Sequence, residues 1–306
     1  MAPITCKNAF YVKLGRNGVW ESSSIENNIL RIGWSQQDLI DINTCNWEKI
    51  QKELESETTN KGTATRDCRA LKMLCESTLD DIWVTFHGSC LWWTKVADQI
   101  IYEDNISKYR KVGKWNNQDI LGEALLSNSI SGRISKLQGF RGTICKVKEV
   151  DELQRLINGE QSSEFLAILN SKEILCHNVA AALGRLHWKD FETLVDLVFR
   201  ATGWKRISVL GGTMKFSDIE LEDPINEELY QVQVKSAATF QDFNNYSQNF
   251  TSGKYRKLFF VVHTPDKQLS AFKTKFGSQI QLILPEKLSK MVVELGLINW
   301  LMKKIK

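Results

Sequence analysis

The run KLFFVVHT, residues 257–264, places five apolar side chains in succession between Lys257 and His263. Successive strand residues point to opposite faces, so such a strand is buried on both. A sheet covered on both sides is expected around it, with helices as the covering layers. The preceding sequence supplies one. In DFETLVDLVFRATGW, Phe191, Leu194, Val195 and Val198 follow i, i+3, i+4, i+7, which predicts an amphipathic helix stopped at Gly203. ISVL, KFSDIEL and LYQVQVKS read as three strands, residues 240–250 as a polar helix, and QLILP as a fifth strand. LSKMVVELGLINWLMKKIK reads as a closing helix. The order αβββαβ, followed by βα, predicts an α/β domain with a mixed sheet over residues 186–306.

The first half has a different character. Seven of the ten tryptophans fall within the first 115 residues. FYVKLG, ILRIGW and GFRGTICKV are strand candidates; NWEKIQKELES and TATRDCRALKMLCES are helix candidates. DIWVTFHGSCLWWTKVA predicts a hairpin turning at His87-Gly88-Ser89. Together they predict an α+β module over residues 1–150, shaped as a small curved barrel. DELQRLI, the break NGEQSS and EFLAILNSKEILCHNVAAALGRL predict a helical linker over residues 151–185.

Several classes are set aside by composition. Hydrophobic residues make up 42% and charged residues 25%, which suits globular domains. No stretch approaches the roughly 18–20 apolar residues of a membrane span. MAPITCKNAF lacks the charged-then-apolar pattern of a secretion signal. The seven cysteines are scattered, without a CxxC pair, so reduced thiols and no structural zinc are expected. A cytoplasmic protein with no membrane association follows as the expectation. Net charge is +4, and each half carries 20 basic and 18 acidic residues. That balance does not by itself establish a nucleic-acid partner, although a local basic groove is compatible with one.

Four polar residues in the second half stand out. Asp218 lies inside a strand candidate, where aspartate is disfavoured. Gln233 and Lys235 flank Val234 and therefore share one strand face. A lysine on an otherwise apolar strand is costly unless it meets an anion or a water that it activates. Glu192 sits on the amphipathic helix. DFETLVDLVFRATGW, GGTMKFSDIEL and YQVQVKS together resemble the Mrr-type branch of the PD-(D/E)xK nucleases over residues 186–285. The resemblance implies a restriction-endonuclease-like fold and a site built from Glu192, Asp218, Gln233 and Lys235. It also implies Mg²⁺ held by Asp218, Gln233 and Glu192, with Glu220 as a reserve ligand on the Asp218 face. A hard cation suits carboxylate oxygens, and Lys235 would orient the attacking water. Gly211-Gly212 is separated from Asp218 by TMKFS, a departure from the family pattern.

The first half is similar to PUA-like modules, the group that includes EVE and YTH domains. FYVKLG, ILRIGW, DIWVTFHGSCLWW and FRGTICKV carry that similarity. It implies a pocket that stacks one extruded, modified base between aromatics. Trp34, Trp83, Phe86, His87, Trp92 and Trp93 are the candidate lining; by alternation Trp83 and His87 share one face, and Trp92 and Trp93 point oppositely. The implied partner is double-stranded DNA with modified bases. The implied activity is modification-dependent cleavage in defence against foreign or phage DNA, with a homodimer or transient dimer to cut both strands. Two other readings stay open: a nuclease effector released by a signalling nucleotide, and a non-catalytic nucleic-acid-binding protein.

Overall fold

The computed structural model describes residues 2–208, 218–250, 253–274 and 278–306. The chain divides into two compact units, Met1–Ser163 and Glu164–Lys306. Among the described residues, no helix is long and apolar enough to cross a membrane.

The first unit contains β1 (Ala9–Val12), α1 (Glu21–Glu26), β2 (Ile29–Arg31), α2 (Leu39–Asn43), α3 (Trp47–Glu57), α4 (Lys61–Glu76), β3 (Ile82–His87), β4 (Cys90–Glu103), β5 (Lys108–Val112), α5 (Gly132–Ser135), β6 (Ile144–Lys146) and α6 (Val150–Ile157). Its strands form a six-stranded sheet in the order β2-β5-β4-β3-β1-β6. β1 and β3 pair in parallel and the other pairs are antiparallel. The expected barrel is not closed by hydrogen bonds: β2 and β6 end the sheet on opposite sides. Period-2 alternation sorts the core onto the two faces. Phe10, Val12 and Trp83 pack with Ile50, Leu54, Leu71 and Leu74 of α3 and α4. Ala9, Tyr11 and Val84 pack with Leu153 and Ile157 of α6 on the other. The predicted hairpin is present, with His87 paired to Cys90 around Gly88 and Ser89. Both turn residues have positive φ, 57° and 63°, the requirement of a type I′ turn.

The second unit contains α7 (Ser163–Leu183), α8 (Trp188–Ala201), β7 (Lys205–Arg206), β8 (Ile219–Glu222), β9 (Leu229–Ala238), α9 (Phe240–Asn249), β10 (Tyr255–Pro265), α10 (Lys267–Ala271), β11 (Ile280–Ile283), α11 (Pro285–Glu294) and α12 (Ile298–Ile305). The sheet order is β11-β10-β9-β8-β7. β9, β10 and β11 run parallel, and β8 and β7 are antiparallel additions, so this sheet is mixed. Phe260 and Val262 of β10 pack with Phe243 of α9 and Leu269 of α10. Phe259 and Val261, on the other face, join Phe191, Leu194 and Val195 of α8. The apolar run is thus buried on both faces.

Residues 151–185, expected as a linker, are helical over α6 and α7. Leu153 and Ile157 belong to the first unit's core, Val179 and Leu183 to that of the second. Gly211-Gly212 lies outside the described residues.

Candidate active site and a cleft at the hairpin tip

The second unit brings Asp218, Gln233 and Lys235 together, while Glu192 comes from α8 on the other side of the sheet. Ile219 pairs with Val232 across the antiparallel β8–β9 ladder, which sets Asp218 opposite Gln233. The Asp218 amide donates to the Val232 carbonyl at 3.1 Å and seats the aspartate at the head of β8. Asp218 Oδ2 accepts from the Val234 amide at 2.7 Å and from Gln233 Nε2. Gln233 is 3% exposed, and this bond satisfies its amide nitrogen. Lys235 is two residues further along the same face, its ammonium 5.3 Å from the centre of the Tyr246 ring on α9. Gln233 and Lys235 pair with Phe260 and Val262, so their face is the α9–α10 side of the sheet.

Burial pushes the Asp218 carboxyl above the usual carboxylate range, against the Val234 amide, the Lys235 charge and the Gln233 amide, which all lower it. The Glu192 carboxyl on α8 is raised first by burial and then by the negative charge of Asp218, with Arg206 opposing. In both carboxyls burial is the leading cause, because it disfavours the charged form. Arg206 meets Asp196 at 3.2 Å and Glu192 at 4.0 Å. Its Nε donates to Ser208. Asp196 and Arg206 escaped the sequence reading. The i, i+4 spacing of Glu192 and Asp196 was the available signal, since it sets both on one helix face.

A hard cation there would draw on the Asp218 carboxylate and the Gln233 carbonyl oxygen, with Glu192 approaching from α8, which covers the other sheet face. Because Gln233 Nε2 is the atom turned to Asp218, holding a cation there requires its amide to turn over. The reserve ligand is committed elsewhere: the Glu220 carboxylate accepts from the Tyr255 hydroxyl. His263 lies on the opposite sheet face, edge-on to Phe191 at 4.5 Å, its imidazole pKa lowered by burial. Among the described residues, no group of three or more His, Cys, Asp and Glu is placed to hold a metal.

In the first unit the structure separates the six aromatic and histidine candidates. Trp83 is wholly buried and stacked on Phe10 at 5.0 Å; Trp93 is buried in the opposite core, its indole donating to the Gln118 carbonyl. Neither is among the residues that line the hairpin-tip cleft. Trp34 and Trp92 are half-buried against the Trp83 core. The Trp92 indole donates to the His87 carbonyl at 3.0 Å. Phe86 and His87 do line a cleft, of about 530 Å³, with Glu21, Ser127, Asn128 and Gln138. The Ser127 amide donates to the Ser89 carbonyl at 2.9 Å and ties the hairpin tip to the facing loop. His87 Nδ1 donates to Glu21 Oε2 at 2.8 Å. A carboxylate only accepts, so Nδ1 carries the proton, and in the neutral ring Nε2 is an acceptor. Gly18 makes room for this pair. Its φ is +76°, and a Cβ there would lie 2.5 Å from Glu21 Oε1. Glu21, Asn128 and Gln138 left no local signal, since the fold brings them to His87 from distant parts of the chain.

No family model and no curated protein matches the chain.

Proposed function

We propose that the chain is a modification-dependent DNA endonuclease: a PUA-like first unit that reads an altered base and an Mrr-like second unit that hydrolyses a nearby phosphodiester. The observation that carries the cleavage half is the set of Asp218, Gln233 and Lys235 on one sheet face, with Asp218 Oδ2 held by the Val234 and Gln233 amides. Asp218, Glu192 and Gln233 would hold Mg²⁺, which supplies charge neutralisation at the scissile phosphate. Lys235 would orient a water and stabilise charge developing on phosphate oxygens. Arg206 holds the Glu192 end of the site through Asp196 and Ser208. The reading half is supported by the hairpin-tip cleft. Phe86 offers an aromatic surface, Asn128 and Gln138 offer amides, and His87, its Nδ1 engaged by Glu21, leaves Nε2 for a base edge. A cytoplasmic role in defence against foreign DNA and a dimeric cutting form belong to the same reading.

Plasmids with plain, methylated and hydroxymethylated cytosine, incubated with the chain and Mg²⁺, test the whole proposal. Cleavage restricted to modified plasmids, and lost in Asp218→Ala and Lys235→Ala, is the expected outcome. Equal cleavage of all three plasmids removes the reader; cleavage by either variant at wild-type rate removes the site.

A further inference from the structure

Charge is spread unevenly along the first unit. Residues 1–20 carry three Lys and Arg and residues 124–148 carry five, with no Asp or Glu in either segment. The chain's average of 36 acidic residues in 306 would place about five in segments of this combined length. Segregation of one sign in a nearly balanced chain is the electrostatic footprint of a polyanion partner. The fold brings the two segments side by side. β1 and β6 pair with Val12 opposite Ile144, and the Lys13 amide donates to the Thr143 carbonyl at 2.8 Å. Arg141 lies two residues before Thr143. β1 also pairs with β3, Tyr11 opposite Val84, so two residues further on Lys13 comes level with Phe86 on the same sheet face. Phe86 lines the hairpin-tip cleft, and so does Gln138, three residues before Arg141. Arg16 sits in a turn closed by the Gly18 amide on the Gly15 carbonyl and the Trp20 amide on the Leu14 carbonyl, which leads to Glu21 at the cleft. Arg16 and Arg141 are exposed and Lys13 is half-buried. None of the three has an acidic partner among the described residues. The acids that follow the two segments are taken, Glu21 by His87 and Glu149 by Lys136.

We propose that Lys13, Arg16 and Arg141 form a phosphate-binding rim at the hairpin-tip cleft and seat the backbone of duplex DNA there. Three unpaired cations held at one end of a sheet repel one another, a cost that a polyanion removes. The choice of a duplex rests on the base-reading proposal: a base extruded into the cleft leaves its flanking phosphates at the mouth. The phosphate chemistry of the rim does not rest on it. An anionic membrane offers the same charge, but a membrane-bound surface also buries a set of large apolar side chains. In the two segments the exposed large apolar residues are Val19 and Leu126 alone.

Fluorescence anisotropy of a short labelled duplex with the full chain, in EDTA to prevent cleavage and across about 50–200 mM NaCl, tests it. Each phosphate neutralised contributes about 0.9 to the slope of log affinity against log salt, so three contribute about 2.7, roughly fortyfold over that range. Lys13→Met, which keeps the aliphatic stem, combined with Arg16→Ala and Arg141→Ala should flatten the slope by that amount. It should weaken plain and modified duplexes by the same factor. Lys52→Ala, an exposed lysine on α3, should leave the slope unchanged. A thermal midpoint near that of the wild type shows that the triple variant folds. Should it not fold, Arg16→Ala and Arg141→Ala, both at exposed positions, should each flatten the slope by about 0.9. A slope unchanged in the folded variants overturns the proposal. So does a chain that binds no duplex at the lowest salt, or one that binds phosphatidylserine vesicles in preference to DNA. The base-reading proposal fails separately. Equal affinity for plain and modified duplexes, with the slope flattened in the triple variant, removes the reader and leaves the rim. A kept preference for modified duplex with no change in slope does the reverse.

Discussion

Asp218 and Glu192 sit in surroundings that oppose their own ionisation, and this fixes the sign of two expectations. A carboxyl with a raised folded-state pKa binds more protons folded than unfolded, so its contribution favours the fold at low pH. That contribution is lost as pH rises through the raised value. Asp218→Asn and Glu192→Gln should therefore raise the thermal midpoint at pH 8 in the absence of divalent ions. Near pH 3, below the unfolded-state carboxylate pKa values, that gain should vanish. Asp218→Asn should also abolish cleavage. Melting curves at the two pH values check this; an equal gain at both would mean that burial of charge is not the cause. Gln233 gives the complementary expectation. It is neutral and now donates to Asp218, so Gln233→Glu should tighten Mg²⁺ binding without DNA by bringing a second strand carboxylate, as calorimetric titration can show. These residues were legible in the sequence because strand alternation is a rigid rule: Gln233 and Lys235 had to share a face. The tryptophans were not. A strand tryptophan has the same pattern whether it fills a core, as Trp83 does, or lines a cleft.

Among the elements, those with strong local codes matched expectation. The Gly88-Ser89 turn fixed the β3–β4 hairpin, and the Thr239–Asp242 capping box starts α9 where the polar helix was expected. The expected single closing helix is two, because Gly296 has a φ of 71° between α11 and α12. α1 went unread: its six residues carry no apolar period, and Glu21 gains its meaning only from His87, 66 residues away. The turn before α1 is the place to test the cleft. Gly18→Ala forces a left-handed backbone position on a residue with a Cβ, at a cost of roughly 1 kcal/mol. It also drives the Glu21 carboxylate from His87. The expected result is a folded protein that still hydrolyses DNA but has lost preference for modified plasmid. Glu21→Gln, which keeps shape and removes the charge, should weaken that preference by less. Preference unchanged in Gly18→Ala would detach the His87–Glu21 pair from base reading.

At the scale of the whole chain, the boundary between the two units decides which fragments can fold. The sequence break NGEQSS was visible, but a first module ending at residue 150 leaves out α6. Leu153 and Ile157 are wholly buried in the first unit's core. The Ile120 amide donates to the Ile157 carbonyl at 2.9 Å. Asn158 closes a ring with Ile4 through bonds of 2.7 and 3.0 Å, tying the start of the chain to the end of α6. Removing two large buried aliphatic side chains costs several kcal/mol, of the order of 2–5 each, against a typical total stability of about 5–15 kcal/mol. Residues 1–163 should therefore give a cooperative melt, and residues 1–150 a chain that aggregates or melts without cooperativity. The same logic places α7 with the second unit, where Val179 and Leu183 are core, so residues 164–306 should fold and residues 186–306 should be destabilised. Circular dichroism melts of the four fragments check the boundary without reference to activity. Where both longer fragments fold, 1–163 should bind modified duplex without cutting it, and 164–306 should cut without preference. Cooperative melting of 1–150 at the midpoint of 1–163 would show that α6 is dispensable to the first unit and that its burial contributes little to that core.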